Sequence, residues 1–259
     1  MAPKKTKDIV KKEEETAAIE VASEEVIETP LRDEDWNPKT ELGKKVQKGE
    51  ITSLEQIFDL NKKILEDKIV DILMPDMKVE LINIGQAKGK FGGGKRRAFR
   101  QTQKKTREGN KPHFATYCVV GNENGIIGIG YGKAKEVVPA REKALRAAKL
   151  NVFKITRGSG SWETTVPGQN SIPFKVTGKA GSVTVTLMPA PKGTGIVAES
   201  ELAKILKLAG IQDVWAKIRG HTVSKINMVL AAERALKKLN STNVKEEYKK
   251  QLGIIVEEI

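Results

Sequence analysis

Nine basic side chains and no acidic one fall between Lys88 and Arg107: Lys88, Lys90, Lys95, Arg96, Arg97, Arg100, Lys104, Lys105 and Arg107. Gly92, Gly93 and Gly94 interrupt them, and Phe91 and Phe99 add two aromatic rings. Charge this dense and uncompensated repels itself, so a polyanion is its expected counterpart. Glycine lets a phosphate approach the backbone, arginine grips it with paired hydrogen bonds, and a ring stacks on a base. The window reads as an RNA-binding surface; a solvated surface loop is the alternative. Lys111, Lys133, Lys135, Arg157, Lys192 and Arg219 extend the set of candidate phosphate ligands.

Other chemistries fare worse. Gly89 to Lys95 satisfies G-x-x-x-x-G-K, but the eighth position is Arg96, where a phosphate-binding loop needs a Ser or Thr hydroxyl for magnesium. Gly128, Gly130 and Gly132 are spaced G-x-G-x-G, not as a dinucleotide fingerprint, and they lie in a strand pattern. Small residues there let backbone or RNA come close. His113 and His221 are the only histidines, and neither has Cys or carboxylate neighbours at metal-ligand spacing. His113 lies in a basic stretch where it can touch a phosphate. No nucleophile–base arrangement is visible. The expectation is a binding protein with no catalytic residue, no cofactor and no metal.

Composition agrees. The 259 residues carry 46 Lys and Arg against 33 Asp and Glu, a formal +13. Residues 1–35 hold six basic and eleven acidic side chains, so residues 36–259 carry +18. A body this basic attracts nucleic acid. Cys118 is the single thiol, which suits a reducing compartment and burial as a small hydrophobe. The longest unbroken apolar run, Met228–Ala232, is five residues, so no membrane span is expected. The first residues lack the apolar core of a secretory signal, and the expected location is the cytoplasm.

The elements that must position these residues follow in order. Residues 1–50 read as a disordered, charged extension, with a transient helix over Glu13–Ile27 as the alternative within 1–35. Residues 51–77 form a helical extension: Thr52 or Ser53 precedes the periodic residues Leu54, Ile57, Phe58, Ile64, Leu65, Ile69, Ile72 and Leu73, and Pro75 ends it. Residues 78–151 make a first α+β domain with strands over Ala98–Lys104, Phe114–Val120 and Ile126–Tyr131. A loop over Lys105–Lys111 joins the first two. A helix over Val137–Leu150 turns Ala140, Ala144, Leu145 and Ala148 to the sheet and leaves Arg141, Lys143, Arg146 and Lys149 outside.

Residues 152–240 make a second α+β domain in the order β–β–β–α–β–α, followed by a tail, 241–259, that is expected to dock on a neighbouring protein. Arg157, Gly158, Ser159 and Gly160 read as a flexible basic loop, with Trp162 either packing beneath it or stacking on a base. Val176 alternates with Thr177, and Val183, Val185 and Leu187 alternate with Thr184, Thr186 and Met188. These are the two strands of a hairpin whose turn spans Gly178–Gly181. Gly193, Thr194 and Gly195 then lead toward a helix with Leu202, Ile205, Leu206 and Ala209 on one face, ended by Gly210. Local physics favours a tight strand-to-helix connection there; bare amides that could hold an anion such as an RNA phosphate are the alternative.

Phe174 to Ala198, Arg157 to Glu163 and Ser171 to Phe174 resemble the small-subunit ribosomal protein S-five family, in its archaeal form, and the similarity runs from about Lys78 to Leu239. That resemblance implies an α+β fold: a double-stranded-RNA-binding-like domain, then a C-terminal domain with a left-handed crossover. It implies a non-enzymatic constituent of the small ribosomal subunit in the cytoplasm, bound to rRNA and near ribosomal proteins S-four, S-eight and S-three. It also implies a position by the region where mRNA enters, and a role in accuracy through S-four. The surface matching that contact is Gly178, Lys179, Gly181 and Thr184. A free-standing double-stranded-RNA-binding regulator is the alternative function.

Overall fold

Thr40 opens the first helix, α1 (Glu41–Gln47), by accepting the Gly43 N–H with its hydroxyl, while Leu42 and Val46 bury themselves one turn apart. The computed structural model describes residues 36–86, 96–164 and 168–254, of which those from Asn37 onward form one compact unit. The extension expected over 1–50 therefore gives way to structure by Thr40. Glu66 helps, accepting the amides of Lys39 and Thr40 at 3.0 and 2.7 Å. The expected disorder of 1–35 lies outside the described residues.

The helical extension is two short helices, α2 (Leu54–Asp59) and α3 (Asp67–Leu73). Asn61, at a φ of 50°, breaks the pattern between them. Strand β1 (Lys78–Ile82) follows, an element that the hydrophobic pattern does not announce. Next come β2 (Phe99–Thr106), β3 (Gly109–Gly121) and β4 (Ile126–Ala134). The expected loop over Lys105–Lys111 shrinks to a tight turn at Arg107 and Glu108, and ladder pairing continues to Thr106 opposite Gly109. Helix α4 (Val137–Leu150) leads to β5 (Val152–Lys154). The sheet runs β1-β3-β4-β5, and β2 pairs with the outer part of β3; every pairing is antiparallel.

The two faces of this sheet have different partners. Cys118 and Val120 meet Ala144 and Ala148 of α4. Opposite them, a Cβ on Gly128, Gly130 or Gly132 would overlap backbone atoms of Ala148, Ala144 or Ala140. The glycine repeat is thus there for helix–sheet approach, not for RNA. Lys149 departs from the expectation of an outward cation. It is buried, because its ammonium pairs with the carboxylate of Asp71 in α3 at 2.5 Å. The other face presents Tyr117, Val119, Ile127 and Ile129 to the C-terminal half.

That half contains β6 (Val176–Ala180), β7 (Val183–Pro189), β8 (Ile196–Val197), α5 (Ser200–Leu208), β9 (Val214–Arg219), α6 (Lys225–Ser241) and α7 (Glu246–Gln251). Its sheet runs β6-β7-β9-β8, with β8 parallel to β9. Val176, Ala180, Val183, Val185 and Leu187 share one core with Leu202, Leu206, Val229 and Leu236 of the helices and with the inner face of the first sheet. The layers are α4, first sheet, α5 and α6, second sheet. The boundary expected at 152 also shifts, since β5 pairs with β4 and belongs to the first sheet. The tail folds back: the Leu252 carbonyl accepts the Ser159 N–H at 2.7 Å. The rest of the tail, beyond residue 254, lies outside the described residues.

Candidate RNA-binding surface

Period-two alternation puts every second residue of the β2–β3 arm on one face. The register aligns Lys104 with Lys111, Thr102 with His113, and Arg100 with Ala115 and Lys133. Lys104, Lys111, Arg100 and Lys133 are all exposed. Lys105 occupies the opposite face and Arg107 the turn, so cations surround the arm. Glu108 pairs with Lys111 at 2.7 Å, an exposed contact that a phosphate can displace at little cost. At the base of the arm a shallow depression is lined by His113, Lys133, Lys135 and Lys143, together with Glu136 and Pro139. Lys143 joins this group only through the helix–sheet contact, so no linear motif points to it. Tyr131 lies on the same sheet face as Lys133, exposed and 5.0 Å from the Tyr117 ring.

Several predicted ligands are otherwise engaged. Arg96 is half-buried and donates to the Gly85 carbonyl at 3.3 Å, and the Arg97 guanidinium lies 5.7 Å from the Phe99 ring centre. Lys88, Lys90 and Lys95 lie outside the described residues. Arg157 is an internal staple: it donates to the Gly210 carbonyl, to Asn124 and to Gln169. Burial lowers its pKa. The loop around it is not flexible coil, since Gly158 bridges to Ser171 and Ser159 and Ser161 are buried. Trp162 is 90 % exposed, which removes the packing alternative.

Gly193–Gly195 is the tight connection that local physics favours, and the alternative anion site is filled by the chain itself. Asp213 Oδ1 accepts both amides, at 3.0 and 2.8 Å, while Oδ2 accepts Asn170. A short strand, β8, also separates those glycines from α5. The helix N-terminus has its own carboxylate, Glu199, which accepts the Glu201 and Leu202 amides. Burial pushes the Glu199 pKa up, yet Lys225, Leu202 and Ser200 together hold it below the usual value. Lys192 and Arg219 remain exposed, on the second half of the molecule.

The expected hairpin turn is two residues tighter. Only Gly181 and Ser182 lie outside the ladder, and Gly181 has a φ of 58°. Gly178 is a strand residue facing α6, where a Cβ would overlap the Ala231 carbonyl and the Ala235 amide. It is buried and offers no surface to a partner, whereas Lys179 and Gly181 are exposed and Thr184 is half-buried. Cys118 is an inert core thiol, its pKa raised to about 12 by burial. Among the described residues no group of three metal-ligating side chains converges, and no helix is long and apolar enough to cross a membrane.

Two family models match, "Ribosomal protein S5, N-terminal domain" over residues 96–156 and "Ribosomal protein S5, C-terminal domain" over 178–250. Together they cover more than half of the chain. The chain belongs to the ribosomal protein S5 family. Its relatives include proteins named small ribosomal subunit protein uS5. The one from Nanoarchaeum equitans is 46% identical over 82% of this chain and 90% of its own length. That of Methanocaldococcus jannaschii is 42% identical over 86% and 95%, and that of Staphylothermus marinus 45% over 79% and 88%. The family assignment is therefore to the archaeal type. The S5 N-terminal match ends just past β5, in keeping with the pairing of β5 to the first sheet.

Proposed function

We propose that this S5-family chain is a structural constituent of the small ribosomal subunit, acting in the cytoplasm and binding rRNA and other ribosomal proteins without catalysing a reaction. The observation that carries the reading is the β2–β3 arm. Eight residues of β2 span about 26 Å, with Arg100, Lys104 and Lys105 along them and Arg107 in the turn that follows. That is a series of cations at a spacing a phosphate backbone can follow, with backbone hydrogen bonds keeping them in line. Phosphate contacts of this kind fix position more than they read sequence.

Sucrose-gradient fractionation of cells tests the assignment. The chain is expected almost wholly in the small-subunit, seventy-S and polysome fractions. A large ribosome-free pool would instead favour a free-standing double-stranded-RNA-binding regulator.

Phosphate binding by the arm predicts a salt effect. Replacing Arg100, Lys104 and Arg107 by Ala should lower the slope of log K against log salt by about two to three units, at roughly 0.7–0.9 for each phosphate no longer neutralised. An unchanged slope in rRNA titrations would remove the arm from the interface. Arg96→Ala should instead act on stability, because its guanidinium is held by Gly85.

The hairpin tip supports a protein contact. Lys179, Gly181 and Thr184 are read as the surface facing S-four, with S-eight and S-three as further neighbours near the region where mRNA enters. Gly181→Val should strain the tip by about 1–3 kcal/mol, because only glycine adopts its positive φ without cost. The core lies elsewhere, so the subunit should still assemble while misreading of near-cognate codons changes. A shift of about 1.4 kcal/mol between two decoding states is tenfold in population. Normal assembly together with normal misreading would reduce the tip to scaffold.

A further inference from the structure

The second sheet has one face on the helices and one that nothing in the described chain covers. Pairing register arranges that outer face in rows: Lys179, Thr184 and Arg219; then Thr177, Thr186 and Lys217; then Met188, Trp215 and Val197. Lys175, just before β6, points the same way by alternation. None of β6, β7, β8 or β9 contains an Asp or Glu. Trp215 is 37% exposed and Val197 52%, so the apolar end is open as well. The inward alternates, Val214, Val185 and Leu187, are fully buried, so this face cannot turn inward to hide its charge.

We propose that the part of this outer face along β9, from Trp215 to Arg219, is a docking platform for single-stranded RNA, distinct from the β2–β3 arm and from the hairpin tip read above as a protein contact. The proposal rests on reading the chain as an rRNA-binding protein. Trp215, Lys217 and Arg219 project from one strand at intervals of two residues, about 6.6 Å each. An aromatic ring followed by two cations at that interval can stack one base and hold the phosphates that follow it. Thr177 and Thr186, whose hydroxyls lie 3.4 Å apart, supply donors and acceptors beside the same track. Met188 and Val197 flank the tryptophan across the ladder and would shield the stacked base from water. The absence of carboxylates from these strands favours a polyanion over an acidic-rimmed protein surface. The flat, open sheet suits unpaired bases, which can be splayed onto it, better than a duplex.

The test uses the full chain with two fluorescent probes, an oligouridylate and a short RNA duplex, titrated at several salt concentrations. Trp215→Ala should weaken oligouridylate binding about tenfold, and Trp215→Phe should keep most of it. Lys217→Ala with Arg219→Ala should lower the single-strand salt slope by about 1.4, at roughly 0.7 for each phosphate released. Duplex binding should stay unchanged in these variants and fall in Arg100→Ala with Lys104→Ala. The three platform residues are outward-facing, so an unchanged thermal midpoint should confirm that each variant is folded. Oligouridylate binding equal to that of the unsubstituted chain overturns the platform. If those variants instead lose a ribosomal protein from purified subunits, the face is a protein interface and the proposal is wrong. Duplex binding without oligouridylate binding sinks the platform alone, whereas binding to neither probe sinks the RNA-binding reading beneath it.

Discussion

Gly130→Val is expected to cost about 4 kcal/mol or more, a large share of the stability of a domain this size. The reason lies in what the new side chain would meet. A Cβ at Gly130 overlaps the Ala148 amide, the Ala144 carbonyl and the Ala147 carbonyl carbon, all of them helix backbone. A flexible side chain could swing away, but the hydrogen-bonded backbone of α4 cannot. The helix would have to lift from the sheet, exposing Cys118, Val120, Ala144 and Ala148. Lys143 travels with α4, so the depression it forms with His113, Lys133 and Lys135 should open at the same time. Denaturant unfolding measures the first effect, and the salt dependence of rRNA binding the second. A loss below about 1 kcal/mol would mean that helix and sheet are not in contact at this glycine.

Asp71→Ala should cost about 3–5 kcal/mol, because it strands the Lys149 ammonium in the interior. Both partners are less than a tenth exposed. The double replacement Asp71→Leu with Lys149→Met should recover most of that loss, since two apolar groups need no partner in a dry site. Arg146 and Asp67 link the same two helices at 3.1 Å, but Arg146 is open to solvent. Asp67→Ala should therefore cost less than about 1 kcal/mol. A similar cost for the Asp67 and Asp71 variants, read from unfolding midpoints, would show that the inner pair is hydrated. The buried pair also helps tie the N-terminal helices to the first sheet and its helix, so Asp71→Ala should raise protease sensitivity over residues 41–73.

Much of this fold is local information. Strands β2 to β4, the 14 residues of α4 and the alternation of Val183, Val185 and Leu187 are set by neighbours one to four residues away. The same holds for the basic arm, where Arg100, Lys104, Lys105 and Arg107 follow one another with no acid between them. Short elements are less legible. Helix α1 has two buried apolar side chains amid lysines, and in β1 only Ile82 is fully buried, so periodicity has little to act on.

Residue order alone is enough for the family, the basic character, the absence of an ATP-type phosphate loop and the outline of the strands and helices. Which polar groups are available is settled only when distant segments meet. Arg157 and Lys149 read as free cations and are consumed by Gly210, Asn124, Gln169 and Asp71. The amides of Gly193 and Gly195 leave an anion site open as an alternative, and Asp213 closes it. Gly178 reads as a turn and is the seat of a helix. The two sequence-defined domains share one core, to which Tyr117 and Val119 of the first and Leu202 and Leu206 of the second all belong. Period and propensity are written in adjacent side chains, whereas the partner of a charge or the neighbour of a glycine is chosen by whichever distant segment the fold brings against it.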